Sequence, residues 1–155
     1  MKNRVLSLLL AIMLCIVSVV NMDVEVNAEV VSEDVELTVV ETDDALIGHA
    51  QNQTWGVYFS DGYSVINKMS PTKVGAGGVT NANVRCTVKV NAILEQKSSS
   101  GTWVRVTSWL QTNENAYSAV ISKSVTVATG YYYRVRSYHY AGSDASSSST
   151  NALYM

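Results

Sequence analysis

The clearest pattern in the chain is a strict alternation of apolar and polar side chains over residues 84–95. One face of this segment carries only apolar residues, namely Val84, Cys86, Val88, Val90, Ala92 and Leu94. The opposite face carries Arg85, Thr87, Lys89, Asn91 and Glu95, with Ile93 as the exception. A period of two over this length predicts a β-strand with one buried face, and it places Cys86 in the core.

Shorter strand-like segments follow one another from about residue 55 to the end of the chain. Together with residues 84–95, they predict strands at residues 55–60, 63–69, 72–76, 102–110, 119–127, 131–140 and 150–155. Turns are predicted at Asp61-Gly62, Pro71, Gly77-Gly78 and residues 98–101, 113–115 and 128–130. The serine-rich residues 142–149 are predicted to form a loop or a sheet edge. Because short turns join antiparallel strands, residues 55–155 are predicted to form an all-β, immunoglobulin-like antiparallel β-sandwich of about seven strands.

Residues 1–28 have the features of a secretory signal peptide. Lys2 and Arg4 precede a long apolar run, and Val26 and Ala28 occupy the −3 and −1 positions of a cleavage site. We therefore expect secretion to the extracellular space, with cleavage after Ala28 and no stable membrane insertion afterwards. An uncleaved membrane anchor is the alternative, because the apolar run approaches the length that spans a bilayer.

An acidic segment precedes the predicted domain. Residues 29–44 contain no Lys or Arg and seven carboxylates, at Glu29, Glu33, Asp34, Glu36, Glu41, Asp43 and Asp44. From residue 45 onward, nine Lys or Arg residues stand against four Asp or Glu residues, a net charge of +5. Residues 29–54 are therefore predicted to be an acidic linker or pro-segment. An arm folded onto the basic domain and an additional strand are the alternatives.

The composition narrows the class of protein. Hydrophobic residues make up 47% of the 155 residues and charged residues only 15%, and the abundance of Val, Ser, Thr and Tyr favours sheet over helix. The single proline, Pro71, excludes a proline-rich stalk. The net charge of −2 gives no basic excess, so we expect no nucleic-acid partner. After signal cleavage Cys86 would be the only thiol, which excludes an intramolecular disulfide.

Sequence motifs for catalysis are missing. The chain contains no Gly-x-Ser-x-Gly and no His-Glu-x-x-His, and the glycine-rich residues 75–78 are not followed by the helix that a phosphate-binding loop requires. The acidic segment lacks the ligand spacing of an EF-hand. A thiol pair of Cys86 with His139 is disfavoured, because the alternation buries Cys86 and a reactive thiolate needs an exposed electropositive setting. We predict no enzymatic activity, no cofactor and no metal site.

The candidate functional feature is an aromatic and basic sheet face. Alternation directs Tyr131, Tyr133, Val135 and Ser137 inward from one strand, and Val104, Val106 and Leu110 inward from another. The outward set on these strands is Trp103, Arg105, Trp109, Tyr132, Arg134, Arg136, Tyr138 and Tyr140. Such a face suits stacking on sugar rings or docking onto a protein. Ordinary cross-strand pairing on an exposed sheet face is the alternative.

Two segments carry a resemblance to known families. Residues 127–137, Val-Ala-Thr-Gly-Tyr-Tyr-Tyr-Arg-Val-Arg-Ser, resemble the penultimate strand of fibronectin type III domains. The resemblance implies a tyrosine corner, in which the hydroxyl of Tyr131 or Tyr133 bonds back to the backbone. Residues 62–64, 99–103 and 130–136 resemble an uncharacterised family of small secreted proteins from Gram-positive bacteria, over most of the predicted domain. That family has no assigned function, so the resemblance implies no catalytic residues.

Two functional hypotheses follow from these features. The first is a secreted, non-enzymatic β-sandwich that binds cell-wall polysaccharide or an extracellular protein through the aromatic and basic face. The second is an exported effector or antimicrobial protein that the positively charged domain directs to the anionic envelopes of neighbouring cells.

Overall fold

The computed structural model describes residues 45–50 and 56–155, and these residues form an antiparallel β-structure. Its seven strands are β1 (Leu46–His49), β2 (Phe59–Ser70), β3 (Lys73–Lys97), β4 (Val104–Thr126), β5 (Tyr132–Ala141), β6 (Asp144–Ser149) and β7 (Leu153–Tyr154). The predicted all-β class with about seven antiparallel strands is confirmed. Within the described ranges, no helix is long and apolar enough to cross a membrane.

Two long strands organise the molecule, because each of them takes part in both halves of the sheet. The first half of β3 pairs with β2 and with the second half of β4, while its second half pairs with β5 and with the first half of β4. Register shifts near Cys86 interrupt the β3–β4 ladder between the two halves, and such irregularities bend a strand. As a result β2 packs against β5 and β6, and the two halves enclose one core.

The alternating segment at residues 84–95 behaves largely as predicted. Val88, Val90, Ala92 and Leu94 are fully buried in the core that both halves of the sheet share. Cys86 is only half-buried, although it packs against this core. The prediction was wrong for Val84, which is 40% exposed, because it lies in the irregular stretch where the β3–β4 register shifts.

Three predicted turns lie inside strands. Asp61-Gly62 belongs to β2, where a Cβ on Gly62 would lie 2.7 Å from the His139 ring. The glycine therefore allows close packing at this position rather than a turn. Gly77-Gly78 lies within β3, and residues 113–115 lie within β4 beside its irregular stretch. The turn predicted at Pro71 joins β2 to β3 as expected.

The sheet begins before residue 55. Strand β1 lies in the segment predicted to be a linker and pairs with β2, Leu46 opposite Ile66 and His49 opposite Tyr63. Residues 46–49, which lie in the segment predicted to be a linker or pro-segment, therefore form part of the sheet. The predicted signal peptide, residues 29–44 and residues 51–55 lie outside the described residues.

The hydrogen bond expected of a tyrosine corner is present at Tyr133. Its ring is fully buried, and its hydroxyl donates to Ala128 O at 2.8 Å and lies 3.1 Å from Gln96 Oε1. Burial raises the pKa of the Tyr133 hydroxyl, and the bond to the Ala128 backbone partly offsets this. Tyr131, the other candidate for the corner, is 36% exposed.

Removing the Tyr133 hydroxyl should destabilise the fold measurably. We expect Tyr133→Phe to lower the free energy of unfolding by about 1–2 kcal/mol, because Ala128 O then loses a buried donor. Urea denaturation monitored by tryptophan fluorescence measures this change. The matched control Tyr131→Phe should change the stability by less than about 0.5 kcal/mol, and equal losses in both variants would contradict the assignment of the corner to Tyr133.

Candidate functional site

The aromatic and basic residues of β5 lie on the side of the sheet that faces away from the core. Alternate residues Tyr133, Val135, Ser137 and His139 are buried, which directs their neighbours outward. On this outer face β5 pairs with β3 in the register Tyr132–Lys97, Arg134–Glu95, Arg136–Ile93, Tyr138–Asn91 and Tyr140–Lys89. The predicted outward orientation of the five β5 residues is confirmed.

A buried carboxylate fixes the two arginines of this face. Glu95 accepts a hydrogen bond from Arg134 Nε at 2.7 Å and from Arg136 Nη2 at 2.8 Å, while its side chain is only 7% exposed. One carboxylate between two guanidinium groups leaves a net positive charge on the outer face. Because charge-assisted hydrogen bonds are strong and directional, both guanidinium groups are held in place.

Aromatic rings and cations form a continuous array on the same face. Arg134 lies 4.3 Å from the centre of the Trp103 ring, and Lys97 lies 5.0 Å from it. Arg136 lies 5.5 Å from the Tyr138 ring, and the rings of Tyr132 and Tyr154 are 5.0 Å apart. We call these residues the aromatic–cation array: Lys97, Trp103, Tyr132, Arg134, Arg136, Tyr138 and Tyr154. Each of these contacts adds a modest attraction.

The prediction for residues 102–110 was wrong for Val104, which was expected to face inward and is 51% exposed, and it fails again beyond a β-bulge. Glu95 pairs with Arg105 but Leu94 pairs with Thr107, so Val106 is an extra residue in β4. An inserted residue reverses the alternation beyond it. Trp109, predicted to face outward, therefore pairs with Ala92 and packs against the core. Leu110, predicted to be buried, is 63% exposed.

An open groove lies beside the array on the outer face. It has a volume of about 510 Å³ and is lined by Thr87, Lys89, Asn91, Leu110, Tyr140 and Gly142. Tyr140 is the only residue of this lining that the sequence prediction placed in the site. Leu110 was missed because the bulge at Val106 cannot be seen in the sequence. The outward positions of Lys89 and Asn91 were predicted. A groove forms there only because the side chains of Leu110 and Tyr140 flank these two residues.

A second polar cluster lies inside the core. His139 Nδ1 is 2.8 Å from Thr80 Oγ1, and His139 Nε2 is 2.8 Å from Ser148 Oγ. The chain continues from Ser148 Oγ to Ser64 Oγ at 2.6 Å, and Ser64 Oγ donates to Ser137 Oγ at 2.8 Å. Burial lowers the pKa of His139 to about 4, and the charge of Asp61 opposes this shift only partly.

This cluster contains the hydroxyl and imidazole groups of a catalytic serine–histidine pair, but it is buried and a substrate cannot reach it. His139 and Ser64 are fully buried and Ser148 is nearly so, and the partner of His139 Nδ1 is a hydroxyl rather than an orienting carboxylate. Both imidazole nitrogens are thus engaged by Thr80 and Ser148, and neither contacts Cys86. Among the described residues, no group of three or more His, Cys, Asp or Glu side chains is placed to hold a metal ion.

The chain belongs to a family of unknown function, DUF6147, which it matches over residues 27–153. The match covers every described strand except the last residue of β7, together with residues 27–44 and 51–55. No curated protein and no solved structure matches the chain.

Proposed function

We propose that the protein is a secreted, non-enzymatic binding module of a Gram-positive bacterium that attaches to cell-wall glycan through its outer face. The observation that carries this proposal is the aromatic–cation array, a row of rings and cations held on one exposed side of the sheet. A surface protein of the envelope is the alternative ligand, because the same residue types also anchor protein interfaces.

The chemistry of the array suits a saccharide. Flat rings such as Tyr138 and Trp103 present apolar area to the C–H face of a sugar, while Arg136 and Lys97 offer hydrogen-bond donors to its hydroxyl groups. Glu95 holds the guanidinium groups before a ligand arrives. Little side-chain entropy is then lost on binding, which raises affinity without adding contacts.

We also propose that the fold is related to that of fibronectin type III domains. The bond from the Tyr133 hydroxyl to Ala128 O supports a relation to fibronectin type III domains, which commonly serve as extracellular modules. Secretion rests on the predicted signal peptide, and mass spectrometry of the protein from culture medium should give a mature chain that begins at Glu29 if cleavage follows Ala28.

An exported effector is the second candidate, and the charge of the domain favours it. The net charge of +5 from residue 45 onward would attract the protein to anionic envelopes of neighbouring cells. Such attraction is screened by salt, since the Debye length falls to about 3 Å at 1 M ionic strength. Aromatic stacking on glycan should persist under the same conditions.

Binding to the cell wall tests the proposal directly. We expect the purified protein to sediment with insoluble Gram-positive cell wall in both low and high salt, and the double variant Trp103→Ala, Tyr138→Ala to lose at least about tenfold in affinity. Tyr117→Ala is the matched control, because Tyr117 carries a similar cation contact from Arg85 but lies outside the array.

The outcomes separate the candidates. Circular dichroism of each variant first establishes that the sheet is retained. Binding that disappears in high salt would favour the effector, and equal binding by the double variant and by Tyr117→Ala would remove the array from the site. Failure of the wild-type protein to sediment with the wall would overturn glycan attachment and leave a protein ligand to be sought.

A further inference from the structure

We propose that the groove beside the aromatic–cation array is the subsite for an acidic sugar, a pyranose ring that carries a carboxylate. The inference rests on the proposed attachment to glycan and names the chemical class of its ligand. It is drawn from the groove lining, which combines two apolar walls with a floor that bears one cation and one amide.

The sheet register determines the shape of the groove. On the outer face Lys89 pairs with Tyr140 and Asn91 pairs with Leu110, and both floor residues belong to the central strand β3. The walls therefore come from the strands on either side of β3, about 10 Å apart. A single sugar ring fits between a tyrosine ring and a leucine side chain at this separation, and its C–H groups would contact Tyr140, which is 40% exposed.

The polar groups of the lining select the substituents of that ring. Lys89 is the only charged residue that lines the groove and is exposed to solvent, so it would pair with a carboxylate. Asn91 has both donors and an acceptor, and it therefore suits hydroxyl or acetamido groups.

The far end of the groove limits where the carboxylate can lie. Thr87 Oγ1 donates a hydrogen bond to the Glu114 carboxylate there, so a second anion would be repelled from that end. Gly142 lies at this same end, where its N–H donates to Thr87 O at 3.0 Å, and the neighbouring Asp144 carboxylate accepts hydrogen bonds from the backbone of Tyr58 and Phe59. The acidic group of the ligand is therefore expected over Lys89, away from the end formed by Thr87 and Gly142.

Calorimetric titration with two defined oligosaccharides tests this assignment on the full chain. The acidic probe alternates glucuronic acid with N-acetylglucosamine, and the neutral probe is an N-acetylglucosamine oligomer of the same length. We expect the wild-type protein to bind the acidic probe at least about fivefold more tightly, and Lys89→Gln to abolish that preference. Tyr140→Ala should lower the affinity for both probes by about tenfold. The control Lys68→Gln removes an exposed cation on β2 and should leave both affinities unchanged.

Each outcome supports or overturns the inference. Equal affinity for the two probes, no binding of either, an unchanged preference in Lys89→Gln, or tighter binding of a glutamate-rich peptide than of the acidic probe would overturn it. The cell-wall assay separates its failure from failure of the proposed function. If Tyr140→Ala still sediments with the wall while Trp103→Ala, Tyr138→Ala does not, the array binds glycan and the groove does not. If the wild-type protein does not sediment at all, attachment to the wall fails.

Discussion

Lowering the pH from 7 to 4 should reduce the free energy of unfolding by about 3 kcal/mol, because His139 takes up a proton far less readily in the folded protein than in the unfolded chain. The imidazole is fully buried, and burial lowers its pKa from the ordinary value of 6.5 to about 4. Its two nitrogens contact the hydroxyl groups of Thr80 and Ser148, neither of which can balance a positive charge. Protonation of the buried His139 should therefore promote unfolding of this protein in acid.

The sign of the effect follows from proton binding by the two states. The unfolded chain binds a proton at His139 below about pH 6.5, whereas the folded chain does so only near pH 4, so protons favour unfolding throughout this window. The stabilisation is complete above the unfolded pKa and is lost progressively as the pH falls. Asp61 is the charged group that opposes the shift. The pKa of Asp144 is also lowered, by hydrogen bonds from the Phe59 and Tyr58 backbone, and its contribution is lost at more acidic pH.

Urea denaturation at several pH values between 7.5 and 4.5 measures the slope, and nuclear magnetic resonance of the folded protein reports the His139 ring itself. His49→Gln is the control, because the His49 side chain is 69% exposed and its removal should leave the slope unchanged. A His139 ring that titrates near 6.5 in the folded protein would contradict the prediction. So would a flat stability profile between pH 6.5 and 4.5.

The sequence was sufficient to predict what depends on local alternation. The buried face of residues 88–94 and the outward face of β5 both follow from a period of two, which each strand carries within itself. The buried cluster depends instead on contacts between distant segments. Ser64 and Ser148 are small polar residues that alone suggest turns or an edge, and they are buried because β2 packs across β5 and β6.

Half of the candidate site was predictable for the same reason. The β5 residues were placed correctly, but one extra residue at Val106 exchanged the positions of Trp109 and Leu110. A β-bulge depends on the pairing of β4 with β3, and the amino-acid type at this position gives no sequence signal for it. The groove therefore went unpredicted, although its floor residues Lys89 and Asn91 were assigned to the correct face.

Glycine was the residue type most often misinterpreted, and Gly77 shows why. The pair Gly77-Gly78 was predicted as the turn that ends a strand, yet it lies inside β3 and is buried. A Cβ on Gly77 would lie 2.4 Å from Ile121 O on β4. The glycine therefore serves close approach of two backbones, a requirement set by a neighbour more than 40 residues away in the chain.

Substituting this glycine should be strongly destabilising. We expect Gly77→Ala to lower the free energy of unfolding by about 2–3 kcal/mol, because the obstructing atom belongs to a paired backbone that cannot rotate away. Gly101→Ala is the matched control. There the new Cβ would meet Ser98 Oγ at 2.5 Å, the end of an exposed side chain that can change rotamer, so we expect a loss below about 0.5 kcal/mol. Urea denaturation of both variants measures the difference. Equal stability losses would mean that the β4 backbone at Ile121 yields as readily as an exposed turn.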